Sequence, residues 1–282
     1  MSATQSDNLP LWVQHRDKVI EQSADVEWRY GTRPDYTRSN ENLVKESTQS
    51  HLEGSLEAIV QNLVRTFEME VSFKSNPQQW LSIVNEKFRI STNGGCEYTA
   101  SDLAAQGTYN LFMTNSEHYK ASEETFESSA KLFHTCFPKG FPWEVLEVYS
   151  GPPNVTFKWR HWGTFSGSYK DYTPTGDVVE VIGVSVARVT DDLKILALEH
   201  YFDNTQFLTK LTAGGKENTS KQQQTFLGFL RRLWNHDAQA PKSQQQEPET
   251  FWGFFQKMRN REAQSVNSQQ QARPCPFRTL MK

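Results

Sequence analysis

The chain has 282 residues and a formal net charge of −3, enough length to bury a full core and no excess of positive charge of the kind that nucleic acid or an anionic membrane surface calls for. It contains no apolar run of the roughly 18 residues that cross a bilayer, and its start, MSATQSDNLPLW, carries neither the basic nor the apolar stretch of a secretory leader. Three cysteines, Cys96, Cys136 and Cys275, lie far apart without a CxxC spacing, the usage expected of reduced thiols in a soluble cytoplasmic protein.

Residues 1–52 read as an N-terminal extension, polar and punctuated by Pro and Gly, with WRYGTRPDY at 28–36 as its only structured-looking piece. A compact domain follows over 53–212. In GSLEAIVQNLVRTFEMEVSF, Ile59, Leu63 and Phe67, with Val60 and Val64 one step on, repeat at helical spacing and predict a helix over 56–71. Ser55 starts it, although Ala58 leaves the capping box incomplete. A short helix is expected at PQQWLSIV, then a strand at KFRISTN ending in the turn Asn93-Gly94-Gly95. A second helix is predicted over 122–137, with Ser122 as cap, acidic residues in the first turn, and Pro138 and Gly140 as stops.

Four strands are expected next, at 143–151, 154–163, 177–189 and 193–203. Helices followed by strands at hairpin spacing argue an α+β fold with the helices on one face of an antiparallel sheet. Bent around its helices, such a sheet leaves a cone-shaped cavity. The remainder, 213–282, has eleven Lys and Arg against five Asp and Glu, a formal +6, and twelve glutamines. Within this basic, glutamine-rich tail, amphipathic helices are predicted at 225–236 and 251–259, able to pack on the domain, across a homodimer interface or on a membrane surface.

Four of these stretches, EGSLEAIVQNLVRTFEMEVSFK, ETFESSAKLFHTCFPKGFPWEVLEVYSGPP, FKWRHWG and DYTPTGDVVEVIGVSVARV, together resemble the pathogen-related protein family of plants and fungi. LKILALEHYFDNTQFLTKLT is similar to the last strand and terminal helix of SnoaL-like polyketide cyclases in the NTF2-like superfamily. The resemblance covers about 28–212 and implies a cone-shaped α+β barrel, its curved antiparallel sheet wrapping helices around a small-molecule pocket. The superfamily includes isomerases, cyclases, dehydratases and non-catalytic binders, so the fold leaves function open.

Candidate site residues concentrate on two strands and a loop. In FKWRHWG, the period of two puts Val155, Phe157, Trp159 and His161 on the more apolar face, which should look inward. Phe157 and Trp159 then shape a pocket, with His161 at its mouth as acid, base or hydrogen-bond donor. The plainer alternative is a core histidine bonded to a backbone carbonyl. Arg160 lies on the other face, either a substrate contact or the partner of a carboxylate such as Glu180. In ALEHYFD, the resemblance makes His200, Tyr201 and Asp203 catalytic candidates; Asp203 equally suits the N-cap of the following helix. Tyr169 and Tyr172 sit in the long loop 166–177, placed to form a lid or to pack on the rim.

No HExxH, glycine-rich phosphate loop or GxSxG is present. His134 and Cys136, two apart on a helix, diverge too far to share an ion. No metal and no cofactor are therefore expected. The leading expectation is a cofactor-free enzyme of natural-product metabolism, folding a hydrophobic polyketide- or terpene-like substrate for cyclisation or isomerisation, a Diels–Alder pericyclase included. The alternative is a stress- or pathogen-related protein that binds a small apolar ligand without catalysis; a scaffold whose cavity is filled by its own side chains is a third. What separates the first two is whether His161, Tyr201 or Asp203 points into the cavity free of structural partners.

Overall fold

A computed structural model of the protein describes residues 9–216. Seven α-helices and five strands make up this part, in the order α1 (Arg16–Glu21), α2 (Thr37–Glu46), α3 (Leu56–Phe73), β1 (Arg89–Thr92), α4 (Ala100–Gln106), α5 (Thr108–Met113), α6 (Phe126–Cys136), β2 (Trp143–Ser150), β3 (Asn154–Thr164), β4 (Val178–Val189), β5 (Ile195–Phe202) and α7 (Asn204–Thr212). The strands form one curved, unclosed sheet in the order β1-β5-β4-β3-β2. Three ladders are antiparallel, as expected; β1 is the exception and runs parallel beside β5 at one edge. From β1 the chain runs through α4–α6 to β2 at the opposite edge and returns through β3 and β4 to β5, a long connection of the kind parallel pairing requires.

Helix α3 lies in the concavity. Val60, Leu63, Phe67 and Val71 bury one face of it against Val145, Val155, Phe157, Ile195 and Leu198 in a single core. The Ser55 hydroxyl caps it by accepting from the Ala58 N–H at 3.2 Å. Its other side serves β2, whose outer edge has no strand beside it among the described residues. Gln61 Oε1 accepts from Val145 N at 3.0 Å, and Arg65 donates to the Trp143 carbonyl at 3.2 Å. His51 Nε2 bonds the Val145 carbonyl at 2.8 Å. Side chains thus stand in for the missing strand and occupy the edge.

Several local readings shift. The helix expected to start at Ser122 begins four residues later, because Thr125 and Ser128 form the reciprocal capping box. PQQWLSIV gives only one 3-10 turn at Pro77–Gln79. Helices α4 and α5 were not expected from SDLAAQGTYNLFM. Nor were α1 and α2 in the N-terminal extension, which is built onto the domain across the expected boundary at 52/53. The Glu144 carboxylate accepts from Ser47 Oγ, Thr48 N, Thr48 Oγ1 and Gln49 N, and is ion-paired with Arg160 at 2.8 Å. The Trp162 indole donates to Glu46 at 2.8 Å. These contacts bury Arg160 and Trp162 on the convex side, where period-two reasoning left them outside.

Cys136 is a buried free thiol, whereas Cys96 is disulfide-bonded, which corrects the expectation of three reduced cysteines. No helix among the described residues is long and apolar enough to cross a membrane. The helices expected at 225–236 and 251–259 lie outside the described residues.

Candidate functional site

The concave face of the sheet can be followed row by row through its ladders. At one end, Trp143, His161 and Val181 lie abreast; then Val145, Trp159, Gly183 and Phe202; then Val148, Phe157, Ser185 and His200; then Val155, Ala187 and Leu198. The two ends differ in filling. At the first, Phe141 stacks on His161 with ring centres 3.7 Å apart. Phe137 stacks on Phe141 at 4.2 Å, and Phe207 of α7 lies 5.9 Å from Phe141. These rings plug the end where the sequence placed a mouth.

A cavity among the described residues lies at the other end. Leu56, Ile59, Val60, Leu63 and Val64 of α3 form one wall; Val155, Phe157, Ala187, Val189, Ile195 and Leu198 form the sheet wall; Pro152 and Leu193 stand at the rim. Its volume is about 20 Å³ and its lining is wholly apolar, so it has room for about one water and no group to hold it. Leu193 takes a left-handed backbone, φ 65°, uncommon for a branched side chain. Trp12 bridges toward this rim, donating to the Asp192 carbonyl at 3.0 Å, while Asn62 of α3 bonds the neighbouring Val13 carbonyl at 3.2 Å.

Between cavity and plug runs a hydrogen-bonded chain. The Trp159 Nε1–H donates to Ser185 Oγ at 2.7 Å, and Ser185 Oγ is 2.6 Å from His200 Nδ1. Gly183 makes this possible: the indole lies across it, and a Cβ there would collide with the ring. The His200 ring meets Phe112 of α5 edge-on at 5.2 Å and Trp159 at 6.3 Å. Burial disfavours its charged form and lowers its pKa to about 4, leaving it neutral at pH 7. On the parallel ladder, Thr92 of β1 pairs with His200.

The other expected residues scatter. Phe157 lines the cavity and Trp159 sits in the row beyond it. His161 donates from Nδ1 to the Pro142 carbonyl at 2.9 Å, an acceptor only, so the arrangement matches the core-histidine alternative. Burial lowers its pKa to about 4, opposed in part by that bond. Arg160 faces away from the cavity, between Glu144 at 2.8 Å and Glu180 at 2.7 Å. Tyr201 is on the convex side, exposed, donating to Glu199 at 2.7 Å. Asp203 is exposed and caps α7 by accepting from Gln206 N at 2.8 Å. Tyr169 is no lid: fully buried, it donates to the His118 carbonyl at 2.9 Å, with Tyr172 stacked 6.3 Å away. Of the catalytic candidates, His161 and His200 lie on the concave wall, each bonded through Nδ1; His161 is covered by Phe141, whereas His200 lies in the row next to the cavity.

Sequence reasoning passed over Gly183, Ser185 and Thr92. The signal for two of them was in VVEVIGVSVARV: a glycine and a serine at positions whose parity neighbours, Val181, Ala187 and Val189, are apolar. Glycine inside a strand marks the close approach of another group. Among the described residues no group of three or more His, Cys, Asp or Glu is placed to hold a metal ion.

These features define an α+β domain whose curved, unclosed sheet packs around a helix, an apolar cavity and a short polar chain. A pathogen-related protein of barley, Hordeum vulgare, is 39% identical over 194 residues, covering 66% of this chain and 83% of the relative. The chain belongs to the pathogen-related protein family. No protein-family model matches it. Among solved structures it is similar to a proposed SnoaL-like polyketide cyclase from Jannaschia, at 15% identity and a TM-score of 0.36 over 59% of this chain and 99% of that one. It is also similar to a protein with a ketosteroid isomerase-like fold from Catenulispora acidiphila, at 11% identity and a TM-score of 0.32 over 52% of this chain and 89% of that one. Likeness at this level carries no argument about activity.

Proposed function

We propose that this domain binds a hydrophobic small molecule between α3 and the concave face of the sheet. The observation behind this reading is the cavity at the Val155 end, apolar on every wall and rimmed by the partly exposed Leu56 and Leu193. At about 20 Å³ it admits a ligand only when the rim parts. A purely apolar lining selects by burial of surface, at about 25 cal/mol per Å² removed from water, and with little regard for chemical detail. His161, Tyr201 and Asp203 are each committed to a structural partner, which weighs for binding over catalysis.

The test uses N-phenyl-1-naphthylamine, a neutral apolar fluorophore. The wild-type protein should bind it with blue-shifted emission. Val155→Phe, which fills the cavity, should weaken binding about tenfold or more, whereas His161→Ala at the plugged end should leave it within about twofold, a contrast of about 1 kcal/mol or more. Absence of saturable binding by the folded wild type would sink the reading.

A second reading, cyclisation or isomerisation of a natural product, is favoured by one observation: the neutral His200 on the concave wall, held by Ser185. A positioned imidazole supplies acid–base catalysis or a hydrogen bond to a carbonyl gaining charge. On a substrate that turns over, His200→Phe should then lower the rate by about 100-fold; an unchanged rate in a folded variant leaves binding alone.

A further inference from the structure

Two hydrogen-bonding groups on the concave wall are left without partners by the fold, and they sit on adjacent strands. Thr92 and His200 are ladder neighbours in β1 and β5. Both alternate with core residues, Ile90 and Leu198, each 1% exposed, so both side chains face inward. The Thr92 hydroxyl is buried and has no hydrogen-bond partner among the described residues. A buried hydroxyl with no partner forfeits its hydration and gains no bond in return, a cost that valine, its near-isostere, would not carry.

The protonation of His200 follows from its neighbour. The Trp159 indole can only donate, so it uses a lone pair of Ser185 Oγ. Ser185 is fully buried, and His200 Nδ1 is the one other group within hydrogen-bonding distance of its hydroxyl among the described residues. The Ser185 hydroxyl therefore donates to Nδ1, and the neutral ring carries its proton on Nε2. Nε2–H is a donor without an acceptor among the described residues.

The cavity comes up to this corner. Phe157, one of its lining residues, is the ladder partner of Ser185; Ala187 and Leu198, two others, are each two residues from Ser185 and His200 on the same face. We propose that Thr92 Oγ1 and His200 Nε2 form a paired donor site for one acceptor oxygen, a carbonyl, on an otherwise apolar ligand. This rests on the ligand-binding reading above and sharpens it: the ligand class is a ketone- or enone-bearing hydrophobic molecule rather than a hydrocarbon. Its apolar body fills the cavity, and its carbonyl meets the two donors among Phe112, Trp159 and Phe202. Away from water, a ligand lacking the oxygen leaves both donors unpaired, which is where a polar site discriminates most strongly.

The experiment compares 2-acetylnaphthalene with 2-ethylnaphthalene, alike in shape and different in the carbonyl, by calorimetric or fluorescence titration of the full chain. The wild type should prefer the ketone by about tenfold or more. Thr92→Val should reduce that preference to about threefold or less while leaving the hydrocarbon's affinity within about twofold, and His200→Phe should do likewise. Equal affinity of the wild type for the two probes, or a preference that Thr92→Val leaves intact, overturns the donor pair and keeps the apolar pocket. If neither probe binds, the ligand-binding reading falls, and the donor pair with it.

A second readout needs no ligand. Removing an unmet hydroxyl should raise the melting temperature of Thr92→Val, by about 2 °C or more for a domain of this size. A lower melting temperature would show that the hydroxyl already has a partner in the free protein, and would overturn the proposal by itself.

Discussion

The two ends of the concave face are built from similar residues and do different work. At the Trp143–His161–Val181 end, Phe141 from the segment after α6 stacks on a histidine whose Nδ1–H is met by the Pro142 carbonyl, and Phe137 and Phe207 of α7 lie against Phe141. At the Val155–Ala187–Leu198 end, the walls are aliphatic and a gap remains; nearby, the Thr92 hydroxyl is buried without a partner among the described residues, and the half-buried His200 is bonded through Nδ1 alone. A titratable residue on an apolar strand face is therefore a poor marker of a site. The better marker is a polar group that the fold brings into the interior and then leaves unpaired, since such a group lowers stability unless something else binds it.

The row between the two ends should show the largest effect. Trp159→Ala opens a core void and should cost about 3–5 kcal/mol. Gly183→Ala pushes a methyl into the indole and should cost about 1–3 kcal/mol. The double variant is the sharper measurement. With the indole gone the methyl has space, so Gly183→Ala should cost much less in the Trp159→Ala background, a coupling of about 1 kcal/mol or more in urea unfolding. Strict additivity would mean that the two residues do not depend on each other, and the divide between plug and cavity would lose its structural basis.

Acid should weaken both ends. His161 and His200 both have pKa values lowered to about 4 by burial, below the ordinary 6.5 of the unfolded chain. Between those values the unfolded state takes up protons that the folded state refuses. The stability these neutral rings confer is complete above about pH 6.5 and is lost as pH falls toward 4, at up to about 1.4 kcal/mol per pH unit for each ring. His134, also lowered by burial, contributes in the same direction. His161→Phe keeps an aromatic ring against Phe141 and should flatten this dependence, read as urea midpoints from pH 7.5 to 4.5. If the variant's slope equals that of the wild type, His161 does not titrate as its packing implies.

Most of the framework was legible because it follows from local rules. The stripe Ile59–Leu63–Phe67, the turn at Asn93-Gly94 and the four strands from 143 onward all appear within a few residues of where period and punctuation put them. The inward face of β3 also follows from alternation, with Val155, Phe157 and Trp159 buried at 5%, 1% and 6%. What could not be read was set by tertiary contact. Helix α1 is short, with only Val19 and Ile20 as apolar anchors, on Met69 of α3; α2 buries no side chain and is held at its end, where Glu46 and the residues after it meet Trp162, Arg160 and Glu144. His161 reads as a mouth residue because the sequence does not show Phe141 stacking over it, backed by Phe207. Thr92 reads as an ordinary strand residue; its unpaired hydroxyl becomes visible only once β1 is known to lie beside β5.

The smallest effect tests the ends of β5 itself, where two catalytic candidates face away from the cavity. Asp203 caps α7 through the Gln206 N–H, and a cap of this kind is worth about 1 kcal/mol. Asp203→Ala should therefore lower stability by about that amount, and Asp203→Asn, which retains a capping oxygen, by only a few tenths. Tyr201→Phe removes one exposed hydrogen bond to Glu199 and should fall within about 0.5 kcal/mol of the wild type. None of the three should alter the affinity for N-phenyl-1-naphthylamine or the preference for the ketone probe, because neither side chain faces the concave wall. The two roles differ in what they move: a capping residue shifts the urea midpoint and leaves the probe alone, whereas a site residue does the reverse. Should Asp203→Ala unfold at the parent midpoint while its probe affinity drops, the acid belongs to the pocket, and the end of β5 would have to be redrawn with Asp203 turned inward.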